Sequence, residues 1–234
     1  MSAARAVVLL SGGLDSAVAL KWAIDHHQVA LALTFDYGQR SALREMKAAQ
    51  AMARRYGIEH QLLALDWLAE ATHTALVDTA QELPHPGDLE DPRGGMRNAA
   101  AVWVPNRNGL FVNIAASLAE ARGLDLIVAG FNAEEAATFP DNSPQFVEAV
   151  NHALEWSTLR HPRLTSPTQE LTKAGIVRLG REIDAPLDLV WACYEGGESY
   201  CWQCESCRRL QRALRDTGNL EWFCGANPRA SGGH

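Results

Sequence analysis

The amino-acid sequence predicts an α/β fold: a Rossmann-like parallel sheet with helices on both faces. Short apolar runs alternate along the chain with segments in which apolar residues recur at helical spacing. The runs are apolar at nearly every position, which is typical of strands buried on both faces. In addition, four cysteines are crowded near the C-terminus. We therefore expect a main α/β domain over residues 1–190 and a small helical, metal-binding segment over residues 191–234.

The first five elements follow in chain order. Residues 6–10 form an apolar run that stops at a glycine pair, and residues 14–27 then show helical spacing, so a strand leads into a helix. Residues 29–35 and 60–65 are two further strands of the buried type, with a helix over residues 41–56 between them. This order predicts parallel neighbours, because parallel strands need a crossover connection.

A polar segment divides the two halves of the chain. Residues 78–98 contain three prolines and a glycine pair and show no hydrophobic period, so we interpret them as a loop long enough to act as a lid. The alternation then resumes. The later elements are predicted as a helix over 108–122, a strand over 124–129, and helices over 144–159 and 172–183, the last capped by Thr172.

Composition narrows the class of protein. With 234 residues and 47% hydrophobic content, the chain is expected to form one large domain with a substantial core. We find no apolar run of the roughly 20 residues that span a bilayer and no signal peptide, so we expect a soluble, cytoplasmic protein with no membrane partner. A net charge of −7 argues against a nucleic-acid partner, because clustered lysine and arginine are needed to bind phosphate backbones.

The segment between the first strand and the first helix has the composition of a phosphate-binding loop. It reads Ser11-Gly12-Gly13-Leu14-Asp15-Ser16. The glycines allow backbone N–H groups to approach an anion, the serines can donate hydrogen bonds, and the helix start adds the positive end of its dipole. Asp15 is suited to hold Mg²⁺ between phosphates. A glycine-rich turn that serves packing alone is the alternative.

This loop resembles the Ser-Gly-Gly-x-Asp-Ser loop of the N-type ATP pyrophosphatases, also called the PP-loop superfamily. Other common nucleotide loops do not match, because no Lys-Ser or Lys-Thr follows the glycines. The resemblance implies that residues 11–16 bind ATP, and that the protein transfers AMP to an oxygen of its substrate and releases pyrophosphate.

The cysteines have the spacing of a metal site. The clustered ones are Cys193, Cys201, Cys204 and Cys207, and only Cys224 lies outside the cluster. Four thiolates close a tetrahedral zinc shell, and a shell with no open position is structural rather than catalytic. We therefore expect a structural Zn²⁺ that fastens the C-terminal segment. An iron–sulfur cluster and disulfide bonds are the alternatives.

Further motifs follow the loop along the chain. They are Asp36-Tyr37-Gly38-Gln39-Arg40, Val104-Pro105-Asn106-Arg107-Asn108, Gly130-Phe131-Asn132-Ala133-Glu134, Phe139-Pro140-Asp141, Thr172-Lys173-Ala174 and Ala192-Cys193-Tyr194. In their order and spacing they resemble the 7-cyano-7-deazaguanine synthase family of queuosine biosynthesis, and the resemblance covers nearly the whole chain. It implies an ATP-dependent ligase and suggests a homodimer.

The resemblance implies a reaction on the carboxylate of 7-carboxy-7-deazaguanine. ATP adenylates the carboxylate, ammonia displaces AMP to give the amide, and a second ATP activates the amide for dehydration to the nitrile. A carboxylate resists nucleophiles because its leaving group would be oxide, and adenylation replaces oxide with AMP. The chain leaves no room for a glutaminase domain, so we expect the ammonia to arrive free.

The same resemblance assigns roles to individual residues. The catalytic residues are expected to be Asp15, Ser16, Arg107 and Lys173. ATP binding is assigned to Ser11, Gly12, Gly13, Leu14, Asp15, Ser16, Asp36, Tyr37 and Gly130, and substrate binding to Tyr37, Gln39, Arg40, Arg107, Asn108, Asn132, Glu134 and Asp141. A surface arginine is the alternative for Arg107, and a solvated lysine at a helix start is the alternative for Lys173.

The sequence departs from the family pattern at three places. Ser41 stands where a histidine is usual, and Trp202 replaces a glycine among the cysteines. Residues 135–143 keep Phe139 but lack a second aromatic residue and an arginine that the family usually has there. Two other functions therefore stay open. One is an enzyme that joins the activated carboxylate to another amine, such as a protein N-terminus, and stops at the amide. The other is a nucleotide-binding interaction module without catalysis.

Overall fold

The computed structural model of the chain describes residues 3–85 and 98–231. Within these ranges a sheet of five parallel strands has the order β3-β2-β1-β4-β5. The strands are β1 Arg5–Leu9, β2 Gln28–Asp36, β3 His60–Ala64, β4 Leu126–Val128 and β5 Arg163–Thr165. The predicted parallel sheet is confirmed, and β1 is its middle strand.

Helices connect the strands and cover both faces of the sheet. They are α1 Leu14–His26, α2 Ala42–Arg55, α3 Asp66–Ala71, α4 over 98–102, α5 Arg107–Arg122, α6 Ala133–Ala136, α7 Pro144–Ser157, α8 Lys173–Glu182, α9 Glu205–Asp216 and α10 Leu220–Ala226. Neighbouring β1 side chains point into different cores: Ala6 and Val8 pack with α1 and α2, whereas Val7 packs with α5. This follows from the strand period of two. Among the described helices, none combines the length and apolar character needed to cross a bilayer.

The elements predicted from the sequence end within about two residues of the observed ones. The cap of α8 is confirmed, since Thr172 Oγ1 accepts a hydrogen bond from the Gly175 N–H at 3.2 Å. The short elements α3, α4, α6 and β5 were missed. Of the predicted loop over 78–98, residues 86–97 lie outside the described residues. Residues 78–85 form neither a helix nor a strand, as predicted, whereas residue 98 is helical.

The C-terminal segment shares a core with the first helices of the sheet domain. Trp191, Tyr200 and Phe223 are buried in the same cluster as Val18 of α1 and Ala49 of α2. Helix α9 also packs along α8. The segment therefore lies against the face of the sheet that carries α1, close to the end of the loop that follows β1.

Candidate active site

A cavity of about 260 Å³ opens at the carboxyl-terminal edge of the sheet. Ligands bind parallel sheets at this edge, because the loops that follow neighbouring strands meet there. The loops after β1, β2 and β4 all line the cavity, together with the residues before α5, the start of α8 and parts of the segment from Trp191 to Leu210. Its volume is close to the lower end of the range for small-molecule sites.

Most of the residues that the sequence assigned to the site meet in this cavity. Those that line it are Ser11, Gly13, Leu14, Asp15, Ser16, Tyr37, Gln39, Arg107, Asn108, Gly130, Asp141 and Lys173. The assigned residues outside its lining are Gly12, Asp36, Arg40, Asn132 and Glu134. The cavity thus joins the proposed ATP-binding, substrate-binding and catalytic residues in one space.

Four of the outlying side chains are bound to other protein groups. Arg40 donates to the backbone carbonyl of Asp78 at 2.9 Å and to that of Gln81. The other three side chains also bond to protein groups. Asp36 Oδ1 accepts from the Gly38 N–H at 3.0 Å, Asn132 Oδ1 from the Glu135 N–H at 2.9 Å, and Glu134 Oε1 from the Lys173 N–H at 2.8 Å. In this structure these side chains fix loops and helix starts around the cavity.

The loop between β1 and α1 leaves the N-terminus of α1 without a side-chain cap. Ser11 Oγ donates to Ser16 Oγ at 3.1 Å, and Ser16 Oγ donates to the carbonyl of Gly13 at 3.0 Å. The first N–H groups of a helix have no partner within the helix. This end of α1 is therefore suited to bind a phosphate group.

Two glycines allow close backbone approaches around this loop. Gly12 has a φ of +82°, and a Cβ there would lie 2.7 Å from the Glu45 carbonyl oxygen. A Cβ on Gly130, at the end of β4, would lie 2.7 Å from the carbonyl carbon of Asp15. Because backbone atoms cannot move aside easily, the loop keeps its position only with glycine at both places.

Lys173 lies between two carboxylates at the start of α8. Its Nζ is 2.5 Å from Asp15 Oδ2 and 2.6 Å from Glu135 Oε1, and its side chain is 11% exposed. Burial would lower the pKa of Lys173, but the two carboxylates raise it above its usual value. Lys173 is therefore a buried, charged side chain of the cavity and not a solvated lysine at a helix start.

Asp15 in loop 11–16 and Glu135 near it offer oxygen ligands. Asp15 Oδ1 is buried and has no hydrogen-bond partner in the described part of the chain. Burial raises the pKa of Asp15 to about 6, although Lys173 opposes this shift. Burial would also raise the pKa of Glu135, but Lys173 holds it below its usual value. Two charged carboxylates at neutral pH, one with an unused buried oxygen, are a donor set that fits Mg²⁺.

Arg107 brings a second positive charge to the cavity. Its Nη1 donates to the Tyr37 hydroxyl at 3.0 Å, and its guanidinium carbon lies 5.7 Å from the centre of the Tyr37 ring. Burial would lower the pKa of Arg107, but Tyr37 and Asp141 raise it, so the side chain stays charged. Among the described residues, no carboxylate lies within ion-pair distance of it. It can therefore pair with an anionic ligand through its remaining N–H groups.

The partly buried Glu45 accepts hydrogen bonds from two residues of the loop after β2. Gln39 Nε2 donates to Glu45 Oε2 at 3.0 Å, and Ser41 Oγ donates to Glu45 Oε1. Gln39 Oε1 also accepts from the Tyr37 N–H at 2.9 Å. Burial raises the pKa of Glu45. Gln39 and Ser41 thus support the backbone that carries Tyr37.

Several residues that line the cavity had no role assigned from the sequence. They include Glu45, Trp103, Glu135, Phe139 and Tyr194. Glu135 follows Glu134 directly, and nothing in the sequence indicates which of the two adjacent acids contacts the Lys173 ammonium group. Glu45 lies inside α2, where a single acid resembles any solvated helix residue.

The clustered cysteines lie close enough to share one metal ion. The four Sγ atoms are all within 4.8 Å of one another, and those of Cys201 and Cys207 are 3.8 Å apart. Zn–S bonds of about 2.3 Å place the corners of a tetrahedron roughly 3.8 Å apart, so the spacing fits a closed zinc shell. The Cys204 N–H donates to Cys201 Sγ at 3.3 Å, and the Cys201 N–H donates to Cys193 Sγ at 3.4 Å. Such bonds stabilise thiolates.

Comparison with known proteins agrees with the motifs. Residues 5–218 match the family described as "Queuosine biosynthesis protein QueC". The chain is 52% identical over 216 residues to the 7-cyano-7-deazaguanine synthase of Pelotomaculum thermopropionicum, with 92% of this chain and 98% of that one covered. The synthase of Desulforudis audaxviator is 53% identical over 218 residues, covering 92% and 99%. That of Methanosarcina mazei is 46% identical over 219 residues, covering 92% and 95%. The chain belongs to the queuosine biosynthesis protein QueC family.

Proposed function

We propose that this protein is a 7-cyano-7-deazaguanine synthase, an ATP-dependent ligase that converts the carboxylate of 7-carboxy-7-deazaguanine into a nitrile. The observation that carries the proposal is one cavity that joins three groups of residues. The uncapped start of α1 lies at the cavity, Lys173 lies between two carboxylates, and Arg107 has no carboxylate partner among the described residues. The names of the curated relatives support the same activity.

The first half of the reaction forms a carbon–nitrogen bond. A carboxylate oxygen of the substrate attacks the α-phosphorus of ATP and pyrophosphate leaves. Free ammonia then adds to the acyl carbon and loses one proton, and AMP leaves with the former carboxylate oxygen to give the amide. In the second half the amide oxygen attacks the α-phosphorus of a second ATP and pyrophosphate leaves. The amide nitrogen then loses both of its protons as AMP leaves with the amide oxygen, which gives the nitrile.

The residues of the cavity contribute mainly by position and charge. Loop 11–16 and the N-terminus of α1 bind the phosphates, and Lys173 neutralises charge that develops on them. Arg107 orients the substrate carboxylate for attack. Asp15 and Glu135 would hold Mg²⁺, which when bound neutralises phosphate charge.

The cysteine cluster has a separate role in this proposal. Cys193, Cys201, Cys204 and Cys207 would hold one structural Zn²⁺, with no open position for a substrate. Trp191, which lines the cavity, lies two residues before the first of these ligands. The metal would therefore support the cavity wall without entering the reaction.

The test is to incubate the full chain with 7-carboxy-7-deazaguanine, MgATP and ammonium, and to follow base and nucleotide products by mass spectrometry. We expect the nitrile, with two AMP released for each nitrile formed. ¹⁵N-ammonium should place the label in the nitrile. AMP release that stops at an amide, or that requires a different amine, would replace this function with an amide-forming one. ATP binding without AMP release would indicate a nucleotide-binding module.

A further inference from the structure

Two aromatic side chains with no role in the steps above line the same cavity. Trp103 lies just before α5, and Phe139 lies just before the turn Pro140–Asn142. Their rings are parallel to within 9°, with centroids 5.9 Å apart. At this spacing parallel rings are displaced sideways, so part of each face stays open.

The surroundings of both rings hold them in place. Val102 and Val104, on either side of Trp103, are 4% and 2% exposed, whereas Trp103 itself is only half-buried. The Phe139 N–H donates to the Glu135 carbonyl at 2.8 Å, which anchors the backbone of Phe139. The indole is thus fixed by two buried neighbours while part of its surface faces the cavity.

Polar groups lie on the same two segments as the rings. The Asn108 N–H donates to Asp141 Oδ2 at 3.3 Å, and Asn108 Nδ2 donates to the Asp141 carbonyl at 3.2 Å. These bonds tie the segment of Trp103 to the segment of Phe139. The lining of the cavity therefore includes, on two segments tied together, two flat rings, Asp141 and Arg107.

We propose that Trp103 and Phe139 form the surface on which the deazaguanine ring of the substrate stacks, between Asp141 and Arg107 at its polar edges. This rests on the function proposed above and names the residues that select the base. A guanine-like edge has adjacent N–H donors, which a carboxylate accepts, and the carboxylate of the substrate suits a guanidinium. Adenine has an acceptor nitrogen beside its amino group, so Asp141 suits the substrate better than the base of ATP.

The test compares Trp103→Leu and Phe139→Leu with the aromatic variants Trp103→Phe and Phe139→Tyr. Base–aromatic stacking of about 1–3 kcal/mol corresponds to roughly 5- to 150-fold in affinity. We expect each leucine variant to raise the KM for 7-carboxy-7-deazaguanine within this range, with the KM for ATP unchanged, and the aromatic variants to restore it. Trp156→Leu is the matched control, because Trp156 is 83% exposed and lies outside the cavity lining.

A binding measurement without ATP separates this proposal from the proposed reaction. Substrate should quench the tryptophan fluorescence of the wild type, and Trp103→Phe should lose the part of that quenching that comes from Trp103, while Trp191, which also lines the cavity, keeps its own part. The proposal is overturned if the leucine variants raise the KM for ATP instead, or leave the KM for the base within twofold while the variants stay folded. Failure of the wild type to form AMP, with quenching intact, would reject the reaction but not the stacking surface.

Discussion

At the scale of single residues, Lys173 places a buried positive charge in the cavity. It is the cation between Asp15 and Glu135, and all three side chains are more than two-thirds shielded from solvent. We predict that Lys173→Met lowers kcat/KM by about 10²–10³, the usual effect of removing one group that stabilises transition-state charge. Steady-state AMP release at saturating ammonium measures it.

The matched control for Lys173 is Lys21→Met. Lys21 makes an equally short ion pair with Asp25 four residues along α1, but Asp25 is 36% exposed and the pair lies outside the cavity lining. Exposed pairs contribute about 0–1 kcal/mol, so this variant should keep normal activity. A Lys173→Met enzyme within fivefold of the wild type would show that Lys173 only stabilises the fold.

Variants of Trp202 test the effect of the tryptophan that replaces the family's usual glycine among the cysteines. The sequence places tryptophan where glycine is usual, and the structure gives this residue a φ of +56°, in the left-handed region. A non-glycine residue there costs about 1–2 kcal/mol. Comparing Trp202→Gly with Trp202→Ala removes the indole in both, so only the backbone differs. We predict that the glycine variant is more stable by about 1 kcal/mol in urea unfolding.

The stability of Trp202→Ala relative to the wild type measures what the indole ring contributes. Trp202 stacks on Tyr200 with centroids 5.0 Å apart, so its loss should destabilise the protein by about 0.5–1.5 kcal/mol beyond the loss of buried area. If the alanine variant equals or exceeds the glycine variant in stability, the strain at this position is absent in solution.

The sequence could identify site residues only where a motif fixes them. Loop 11–16 could be placed at the cavity because glycine, serine and aspartate at one strand-to-helix junction are typical of an anion site. The direction of a side chain could not be predicted: Glu134 accepts from the Lys173 backbone N–H and from Arg212, while its neighbour Glu135 accepts from the Lys173 ammonium group. Trp103 gave no signal, because its place in the cavity depends on a segment more than thirty residues away.

At the scale of elements, the number of neighbouring apolar residues decided which strands could be predicted: the three-residue β4 was predicted because it lies in the mostly apolar stretch 124–129. β1 and β2 are five and nine residues long, with three and five consecutive buried residues, so their apolar pattern stands out. β5 has only three residues, Arg163–Thr165, and one buried side chain, so no period exists to detect. The edge strand forms because β4 offers it a parallel partner, which is a tertiary effect.

Because Gly130 lies close to loop 11–16, we predict that Gly130→Ala disturbs this loop. The added Cβ would lie 2.7 Å from the carbonyl carbon of Asp15 and 2.8 Å from the Ser16 N, so the end of β4 or the start of α1 must move. Such overpacking costs about 1–3 kcal/mol. Because the displaced atoms belong to the phosphate loop, we expect the KM for ATP to rise at least about tenfold, as measured by AMP release.

Gly225→Ala is the control for Gly130→Ala. Gly225 lies in α10, is exposed, and has no atom within 4 Å of an added Cβ. Alanine is favoured over glycine in a helix by about 0.5–1 kcal/mol, so this variant should be slightly more stable with an unchanged KM. Equal KM values for ATP in both variants would contradict the role given to Gly130.

At the scale of the whole molecule, the cysteine segment and the sheet share one core. Cys193, Cys204 and Cys207 are fully buried in the cluster that contains Val18 of α1. The same segment supplies cavity residues, among them Trp191 and Tyr194. Stability and activity are therefore expected to depend together on the metal site, even though no step uses the metal. The division into residues 1–190 and 191–234 stays a prediction, as does the homodimer.

Metal removal tests this coupling. We predict one zinc per chain by elemental analysis, with no visible absorption of the kind an iron–sulfur cluster gives. Cys204→Ser should lose the metal and lower the Tm by about 10 °C or more, since 1 kcal/mol corresponds to roughly 2–4 °C for a domain of this size and loss of a structural zinc costs several times that. Activity should fall at temperatures well below the new Tm, because α9 and the residues near Trp191 lose their anchor. Cys224→Ser, outside the cluster, should keep zinc, Tm and activity. A zinc-free variant with a normal Tm would show that the shared core holds the segment without a metal.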